Sequence, residues 1–218
     1  MMTQNILYLH GFASSPGSTK AGLLRTFLQD YADVHYAVPD LNAPDFEHLT
    51  LTAQLERIAA TVRDLPEGPV YLVGSSFGGL ATLHFLDRHE AAARVEKAVL
   101  LAPALHFLRR QRAARGDAAF AQWREDGYTT AYHYAHKKEM RLHYGLVEDV
   151  AQYDDDALDV TIPLLIYHGE HDDSVDPQVS VRFAEGRDNV TLHILDSDHA
   201  LTDKVAVIHA GLVDFFFK

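Results

Sequence analysis

The sequence predicts an α/β fold: a three-layer sandwich in which helices cover both faces of a mostly parallel sheet of about six strands. Strand-like and helix-like segments alternate along the chain, as they do when each strand is followed by a returning helix. The strand-like segments are short apolar runs, which is typical of strands buried on both faces. We assign these strands to residues 5–10, 34–38, 70–74, 98–101, 164–168 and 190–195.

Helices are predicted between these strands. Ser18 is placed to cap a helix over residues 20–29, and apolar residues at helical spacing indicate a helix over residues 51–62. Three more helices are predicted over residues 77–89, 177–183 and 201–217. With 218 residues, of which 47% are hydrophobic, the whole chain (residues 1–218) is expected to form a single domain.

One segment, at about residues 104–159, has no buried-strand signal and is predicted to be a small cap inserted after the fourth strand. We expect one helix over residues 109–123 and a hairpin over residues 128–144. The helix has Arg109, Arg110, Arg112 and Arg115 on its polar side. Two interpretations of this basic face stay open: a solvated surface, or a lid that attracts an anionic part of a substrate.

Composition excludes several classes of protein. The formal net charge of −12 argues against a general binder of nucleic acids or anionic membranes. The absence of cysteine excludes a disulfide framework or a thiolate metal site and suits the cytoplasm, the expected location. We see no signal peptide and no apolar run long enough to span a membrane. The oligomeric state is left open.

The most informative motif is Gly74-Ser75-Ser76-Phe77-Gly78, which lies between a predicted strand and a predicted helix. G-x-S-x-G in that context forms a sharp turn that raises the central serine above the end of the sheet. A serine hydroxyl is a weak nucleophile and needs a base, which in turn needs an orienting partner. Ser76 is therefore the predicted nucleophile.

The other two members of a Ser–acid–His set follow later strands. His199 comes after the last strand and is the predicted base, chosen by position among 14 histidines. Asp172 follows the preceding strand and is the predicted acid that orients His199. Asp173 is the alternative, whereas His168 is interpreted as a structural residue at the strand end.

Two backbone N–H groups are predicted to stabilise an oxyanion. One belongs to Phe77, immediately after the nucleophile, and the other to Phe12 in the turn after the first strand. With strands ordered 2-1-3-4-5-6, these two turns meet in a crevice at the carboxyl ends of the first and third strands.

These residues resemble those of the α/β-hydrolase superfamily, and more narrowly the small bacterial esterases typified by YqiA. The motifs that carry the resemblance are Leu7–Phe12, Ser14–Ser18, Lys20-Ala21, Val73–Gly79, His168-Gly169 with Asp172, and Asp198-His199-Ala200. The resemblance implies a serine hydrolase without cofactor or metal, with Ser76, Asp172 and His199 as its triad. Because the first predicted strand follows almost directly on the N-terminus, we expect the sheet to be trimmed, without the leading antiparallel strands of larger relatives.

We therefore predict a serine hydrolase that cleaves small-molecule carboxylic esters or thioesters through an acyl-enzyme intermediate. Phe12, Trp123, Tyr132 and Tyr134 are expected at the edge of the substrate pocket, although the cap aromatics could equally form the core of the cap. The alternatives are C–C bond hydrolysis or perhydrolysis on the same triad, or a binding protein without turnover.

Overall fold

The computed structural model describes residues 2–218, and the predicted alternation of strands and helices is present. The strands are β1 (Gln4–Leu9), β2 (Val34–Ala37), β3 (Val70–Ser75), β4 (Val95–Leu101), β5 (Tyr128–His133), β6 (Lys138–His143), β7 (Leu164–Gly169) and β8 (Val190–Leu195). The helices are α1 (Thr19–Leu28), α2 (Leu51–Asp64), α3 (Phe77–Arg88), α4 (Phe107–Arg115), α5 (Asp117–Asp126), α6 (Gly145–Val150), α7 (Gln178–Ala184) and α8 (Val205–Phe217).

Six strands form the main sheet in the order β2-β1-β3-β4-β7-β8, and every neighbouring pair is parallel. Counting only these six strands, the order is the predicted 2-1-3-4-5-6. The chain leaves β1 and β3 in opposite directions, which opens a crevice at their carboxyl ends. The fold class is therefore confirmed.

Side chains of the sheet alternate between two cores, one on each face. Leu7 and Leu9 of β1 pack toward the side of α2 and α3, where Ile58 and Leu80 are buried. Ile6 and Tyr8 of the same strand pack on the other face, where residues of α1 and α8 are buried. This alternation produces the three predicted layers.

The last helix closes the second core with its aromatic end. Phe216 is buried and stacks on Tyr71 with the ring centres 4.6 Å apart. The phenylalanine tail is therefore core packing, as predicted. Among residues 2–218, no helix combines the length and the apolar character needed to cross a membrane.

The segment at residues 104–159, which we call the cap, differs from its prediction in its helices, and α6 was not predicted. The single helix predicted over residues 109–123 is in fact α4 and α5, separated at Gly116. Gly116 has a φ of 83°, which only glycine adopts readily, so the chain turns there and Asp117 begins a new helix. The predicted hairpin is present as the antiparallel pair β5 and β6.

Candidate active site

Ser76 lies at the turn between β3 and α3, with a backbone φ of 54° and ψ of −118°. This conformation is unfavourable for a residue with a Cβ, and such strain is concentrated at functional sites. The surrounding chain holds it: the Ser76 N–H donates to the carbonyl of Leu101 at 2.8 Å. A Cβ on Gly78 would lie 2.2 Å from the carbonyl oxygen of Leu9, so only glycine allows α3 to approach β1 this closely.

Three side chains that are distant in sequence meet at this turn. His199, in the loop after β8, places its Nε2 3.1 Å from the Ser76 Oγ. Its Nδ1 lies 2.7 Å from Oδ2 of Asp172, in the loop after β7. Because a carboxylate only accepts, His199 donates through Nδ1, which leaves Nε2 free to accept the Ser76 proton.

The Asp172 carboxylate is buried and receives four hydrogen bonds. The N–H groups of Ser174 and Val175 donate to Oδ1 at 2.9 and 2.7 Å, and His199 and His168 approach Oδ2 at 2.7 and 3.1 Å. Burial raises the pKa of Asp172, but the hydrogen bonds from His168, His199 and Val175 outweigh burial and hold that pKa well below its usual value. The carboxylate therefore stays ionised beside His199.

The alternative acid, Asp173, forms no hydrogen bond with His199. Its side chain is exposed, and its Oδ1 accepts a hydrogen bond from the Ser174 hydroxyl. The structure thus brings Asp172, rather than Asp173, into contact with His199.

His168 supports the site in a way that the sequence analysis missed. Its ring is fully buried at the end of β7, and its Nε2 lies close to two acceptors, Asp172 Oδ2 at 3.1 Å and the Val175 carbonyl at 3.0 Å. Nε2 must therefore carry a proton, and Nδ1 accepts from the Ser180 hydroxyl at 2.7 Å. The signal was present in the sequence, because a histidine in an otherwise apolar buried strand needs a polar partner.

The turn after β1 lies directly against Ser76. A Cβ on Gly11 would be 3.2 Å from the Cβ of Ser76, which is tighter than ordinary packing. The N–H groups of Phe12 and Phe77 have no hydrogen-bond acceptor within residues 2–218. Two free N–H donors beside a serine hydroxyl are what an oxyanion site requires.

His10 fixes the orientation of this turn. Its ring is buried, its Nδ1 donates to the Gly11 carbonyl at 2.9 Å, and its Nε2 accepts from the Leu41 N–H at 3.0 Å. Burial lowers the pKa of His10, against the opposing effects of Gly11 and Asp40, which favours the neutral ring that these two bonds need. The Gly11–Phe12 peptide group is thereby held in place.

A cavity of about 1120 Å³ opens beside Ser76 and His199, between the sheet edge and the cap. Phe12 and Tyr134 line it, and Tyr134 is anchored through its N–H to the Ala13 carbonyl at 2.9 Å. The cavity wall also contains residues that the sequence analysis did not assign to a pocket: Lys20, Phe107, Arg110, Lys137 and Ser174.

Two of the predicted pocket residues do not line this cavity. Trp123 is only 5% exposed, packs against Phe120 and Tyr144, and donates its indole N–H to the Leu142 carbonyl at 3.0 Å. It belongs to the core of the cap because a buried indole needs both packing and an acceptor, so its placement at the pocket edge was wrong. Tyr132 is 45% exposed beside Tyr134 and also lies outside the cavity wall.

Within residues 2–218, no three His, Cys, Asp or Glu side chains are grouped in a way that could hold a metal ion. The groups around Ser76 are instead suited to proton transfer and to stabilising a negatively charged oxygen.

Comparison with known proteins identifies the relatives of this chain. The sequence model of the Uncharacterised protein family UPF0227 matches residues 5–216. The chain belongs to the UPF0227 family. The resemblance to YqiA-like α/β hydrolases inferred from the motifs is thus confirmed.

Individual relatives agree with this assignment. The mitochondrial palmitoyl-protein thioesterase ABHD10 of Bos taurus is 25% identical over 93% of this UPF0227 chain and 69% of its own length. Mouse ABHD10 superposes with a TM-score of 0.79 at 21% identity, covering 97% of this chain and 88% of that chain. Est1E from Butyrivibrio proteoclasticus, with ferulic acid bound, superposes with a TM-score of 0.82 at 21% identity, covering 99% and 89%. This UPF0227 protein is a hydrolase of the α/β fold.

Proposed function

We propose that this protein is a serine hydrolase that cleaves carboxylic esters or thioesters through an acyl-enzyme intermediate. Ser76 is the proposed nucleophile, His199 the general base and Asp172 the residue that orients His199. The observation that carries the proposal is the unbroken hydrogen-bonded path from the Ser76 hydroxyl through His199 to Asp172, at the wall of a large cavity. This arrangement supplies what a weak hydroxyl nucleophile needs.

In the first half of the reaction, the Ser76 oxygen attacks the substrate carbonyl carbon while His199 Nε2 takes the hydroxyl proton. The carbonyl oxygen becomes negatively charged and accepts hydrogen bonds from the N–H groups of Phe12 and Phe77. His199 then gives its proton to the departing alcohol or thiol, which leaves the acyl group on Ser76.

In the second half, a water molecule takes the place of the leaving group. His199 removes a proton from this water, whose oxygen attacks the acyl carbon, and a second oxyanion forms at the same two N–H groups. Return of the proton to Ser76 releases the carboxylic acid. Throughout, the ionised Asp172 stabilises the positive charge that develops on His199.

The class of substrate is supported by the relatives. The bovine relative is named a palmitoyl-protein thioesterase, and Est1E holds ferulic acid, a carboxylic acid. Both an ester and a thioester present the planar carbonyl that this mechanism needs. The cavity volume of about 1120 Å³ leaves room for a substrate larger than a short acyl chain.

The proposal is tested with the Ser76→Ala variant and a fluorophosphonate probe, which reacts covalently with activated serines. Wild-type protein should be labelled and should hydrolyse a short p-nitrophenyl ester. Ser76→Ala should lose labelling and at least about 10³-fold of the activity. Ser75→Ala is the matched control, because Ser75 is the neighbouring serine without a bond to His199, and this variant should still be labelled. Retention of most activity by folded Ser76→Ala would reject the mechanism.

Product analysis separates the alternatives. Turnover of a diketone, or peroxyacid formation when hydrogen peroxide is added, at rates above ester hydrolysis would indicate another reaction on the same residues. A wild-type protein that neither reacts with the probe nor turns over any ester would indicate a binding protein instead.

A further inference from the structure

The cavity beside Ser76 differs in charge from the rest of this acidic protein. Three cationic side chains line it: Lys20 at the start of α1, Arg110 on α4 and Lys137 in the turn between β5 and β6. Within the described chain, no Asp or Glu side chain lines it. The protein as a whole has a formal net charge of −12, so the charge of this cavity wall is opposite in sign to that of the protein.

These three cations lack the acidic partners that Arg109, Arg112 and Arg141 of the cap have. Arg109 lies 3.9 Å from Asp156, and Arg112 lies 2.9 Å from Asp117. By contrast, Lys20, Arg110 and Lys137 form no ion pair within residues 2–218. Of the four arginines on the polar side predicted from the sequence, only Arg110 lines the cavity.

Arg110 is held toward the cavity but has unused donors. It is partly buried, and its Nη1 donates to the Ser174 carbonyl in the loop that carries Asp172. Its Nε is buried and has no hydrogen-bond partner among the described residues. A buried guanidinium N–H without an acceptor is costly, and an anionic ligand would satisfy it.

Hydroxyl and backbone donors complete this wall. Lys20 lies in the first turn of α1, where the N–H groups of Thr19 and Lys20 have no acceptor within residues 2–218. Neutral donors and a helix start add to the attraction that the cations exert on a negative group. The residues with a hydroxyl group that line the cavity, apart from Ser76, are Tyr8, Ser14, Ser15, Ser18, Thr19, Ser75, Tyr134, Ser174 and Thr202.

We propose that this cavity contains a subsite for an anionic group of the substrate, a carboxylate or a phosphate, formed by Lys20, Arg110 and Lys137. The inference rests on the proposed function, because it names the class of ester or thioester that Ser76 would cleave. The anionic group of the substrate lies either on the acyl group or on the leaving group. The experiment therefore includes one substrate of each kind.

Three thioesters make the test. The valeryl thioester of 3-mercaptopropanamide is neutral, the valeryl thioester of 3-mercaptopropanoate has its carboxylate on the leaving thiol, and the glutaryl thioester of 3-mercaptopropanamide has it on the acyl group. For wild-type protein, kcat/KM for at least one anionic compound should exceed that of the neutral one by about tenfold or more, as expected for a charge-assisted hydrogen bond.

Variants assign this preference to the subsite. The ratio of anionic to neutral kcat/KM should fall by about tenfold in Lys20→Gln and in Arg110→Gln, and by less in Lys137→Gln, whose position is more exposed. Arg109→Gln and Lys138→Gln are the matched controls: each removes the same charge next to a subsite residue but from a position outside the cavity wall. Both should keep the wild-type ratio.

The outcome separates this inference from the proposed function. Suppose that wild-type protein hydrolyses the neutral thioester but has an anionic-to-neutral kcat/KM ratio at or below one for both anionic compounds. This result would overturn the subsite and leave the serine mechanism intact. A ratio in the Lys20→Gln/Arg110→Gln double variant equal to that of wild type would also overturn it.

A binding measurement covers the case in which no thioester is turned over. Calorimetric titration of wild-type protein with glutarate, and separately with inorganic phosphate, should show saturable binding of at least one. That binding should weaken about tenfold or more in the double variant, and the stronger of the two anions identifies the preferred group. The absence of saturable binding for both anions would overturn the subsite.

Discussion

The Nε2 atom of His168 lies 3.1 Å from Oδ2 of Asp172, the same carboxylate oxygen that His199 approaches at 2.7 Å. Asp172 is thus held from two sides, by a buried histidine of β7 and by the proposed base. Since Ser180 and Val175 fix the His168 ring, the position of Asp172 is set by the sheet itself rather than by its loop alone. His168 is therefore a positioning residue for the proposed triad.

The first prediction concerns that positioning role. His168→Phe removes the N–H donor, whereas His168→Gln keeps an amide N–H that can reach Asp172. We expect kcat to fall by about 10- to 100-fold in His168→Phe with little change in KM, because the hydrogen bond is to a charged group that orients the base. His168→Gln should retain more of kcat, although both variants disturb packing.

Steady-state kinetics and thermal unfolding of both variants, measured together, separate the loss of the hydrogen bond to Asp172 from the disturbance of packing. Equal kcat values for His168→Phe, His168→Gln and wild-type protein would show that the contact does not position Asp172. A lower unfolding temperature without any loss of kcat would indicate a purely structural role.

The second prediction tests the turn that follows β1. His10→Phe removes both the donor to the Gly11 carbonyl and the acceptor for Leu41, so the Gly11–Phe12 peptide is no longer fixed. We expect kcat/KM to fall by as much as about 10²-fold, the effect of losing one oxyanion donor. His209→Phe is the control, because His209 is a buried histidine that packs on Phe27 at 4.5 Å and does not line the cavity beside Ser76. Equal kcat/KM in the two variants would contradict the role of His10.

Much of this site could be predicted because local chemistry decides it. The turn at Ser76 needs a buried strand before it, a helix after it and glycines where backbones touch, and all three are local properties of the sequence. His199 and Asp172 could be placed by their order along the chain, since parallel strands bring their following loops to one edge of the sheet.

The rest depends on tertiary packing, which a single sequence does not display. Trp123 is an aromatic residue of the cap, and only the approach of Phe120, Leu142 and Tyr144 decides that it faces inward. Likewise, nothing local distinguishes Arg110 from Arg109 until α4 is docked against the loop of Ser174.

The helix break at Gly116, by contrast, could have been predicted from the sequence, because glycine followed by aspartate is a usual helix boundary.

The third prediction contrasts two aromatic residues of the cap. Trp123→Ala should lower the free energy of unfolding by about 3–5 kcal/mol, because it empties a buried site and leaves the Leu142 carbonyl without its donor. Tyr134→Ala should change stability by about 0.5 kcal/mol or less, since its side chain is 71% exposed, but should alter KM because the residue lines the cavity. Denaturant unfolding and ester kinetics of both variants provide the measurement. A marginal stability loss in Trp123→Ala would contradict its assignment to the cap core.

The last prediction is a pH dependence of the anionic subsite. Burial lowers the pKa of Lys20 to about 8, while the charges of Asp172 and Asp198 act in the opposite direction. Tyr8, His199 and His209 line the two cavities that Lys20 borders, and none of them supplies a negative charge near neutral pH. Lys20 is thus protonated below about pH 8 and neutral above it.

The preference for anionic over neutral thioesters should therefore decline as the pH rises from about 7 to 9, since the ammonium loses its charge in that interval. Lys20→Arg keeps a positive charge over this range, so its preference should stay constant with pH. Lys20→Gln has no charge to lose and should show a low ratio at every pH. The measurement is the ratio of kcat/KM for the anionic thioester to kcat/KM for the neutral one, taken across this pH interval. Effects of pH on Ser76 and His199 cancel in this ratio. A wild-type ratio that does not change between these pH values would show that Lys20 does not supply the charge.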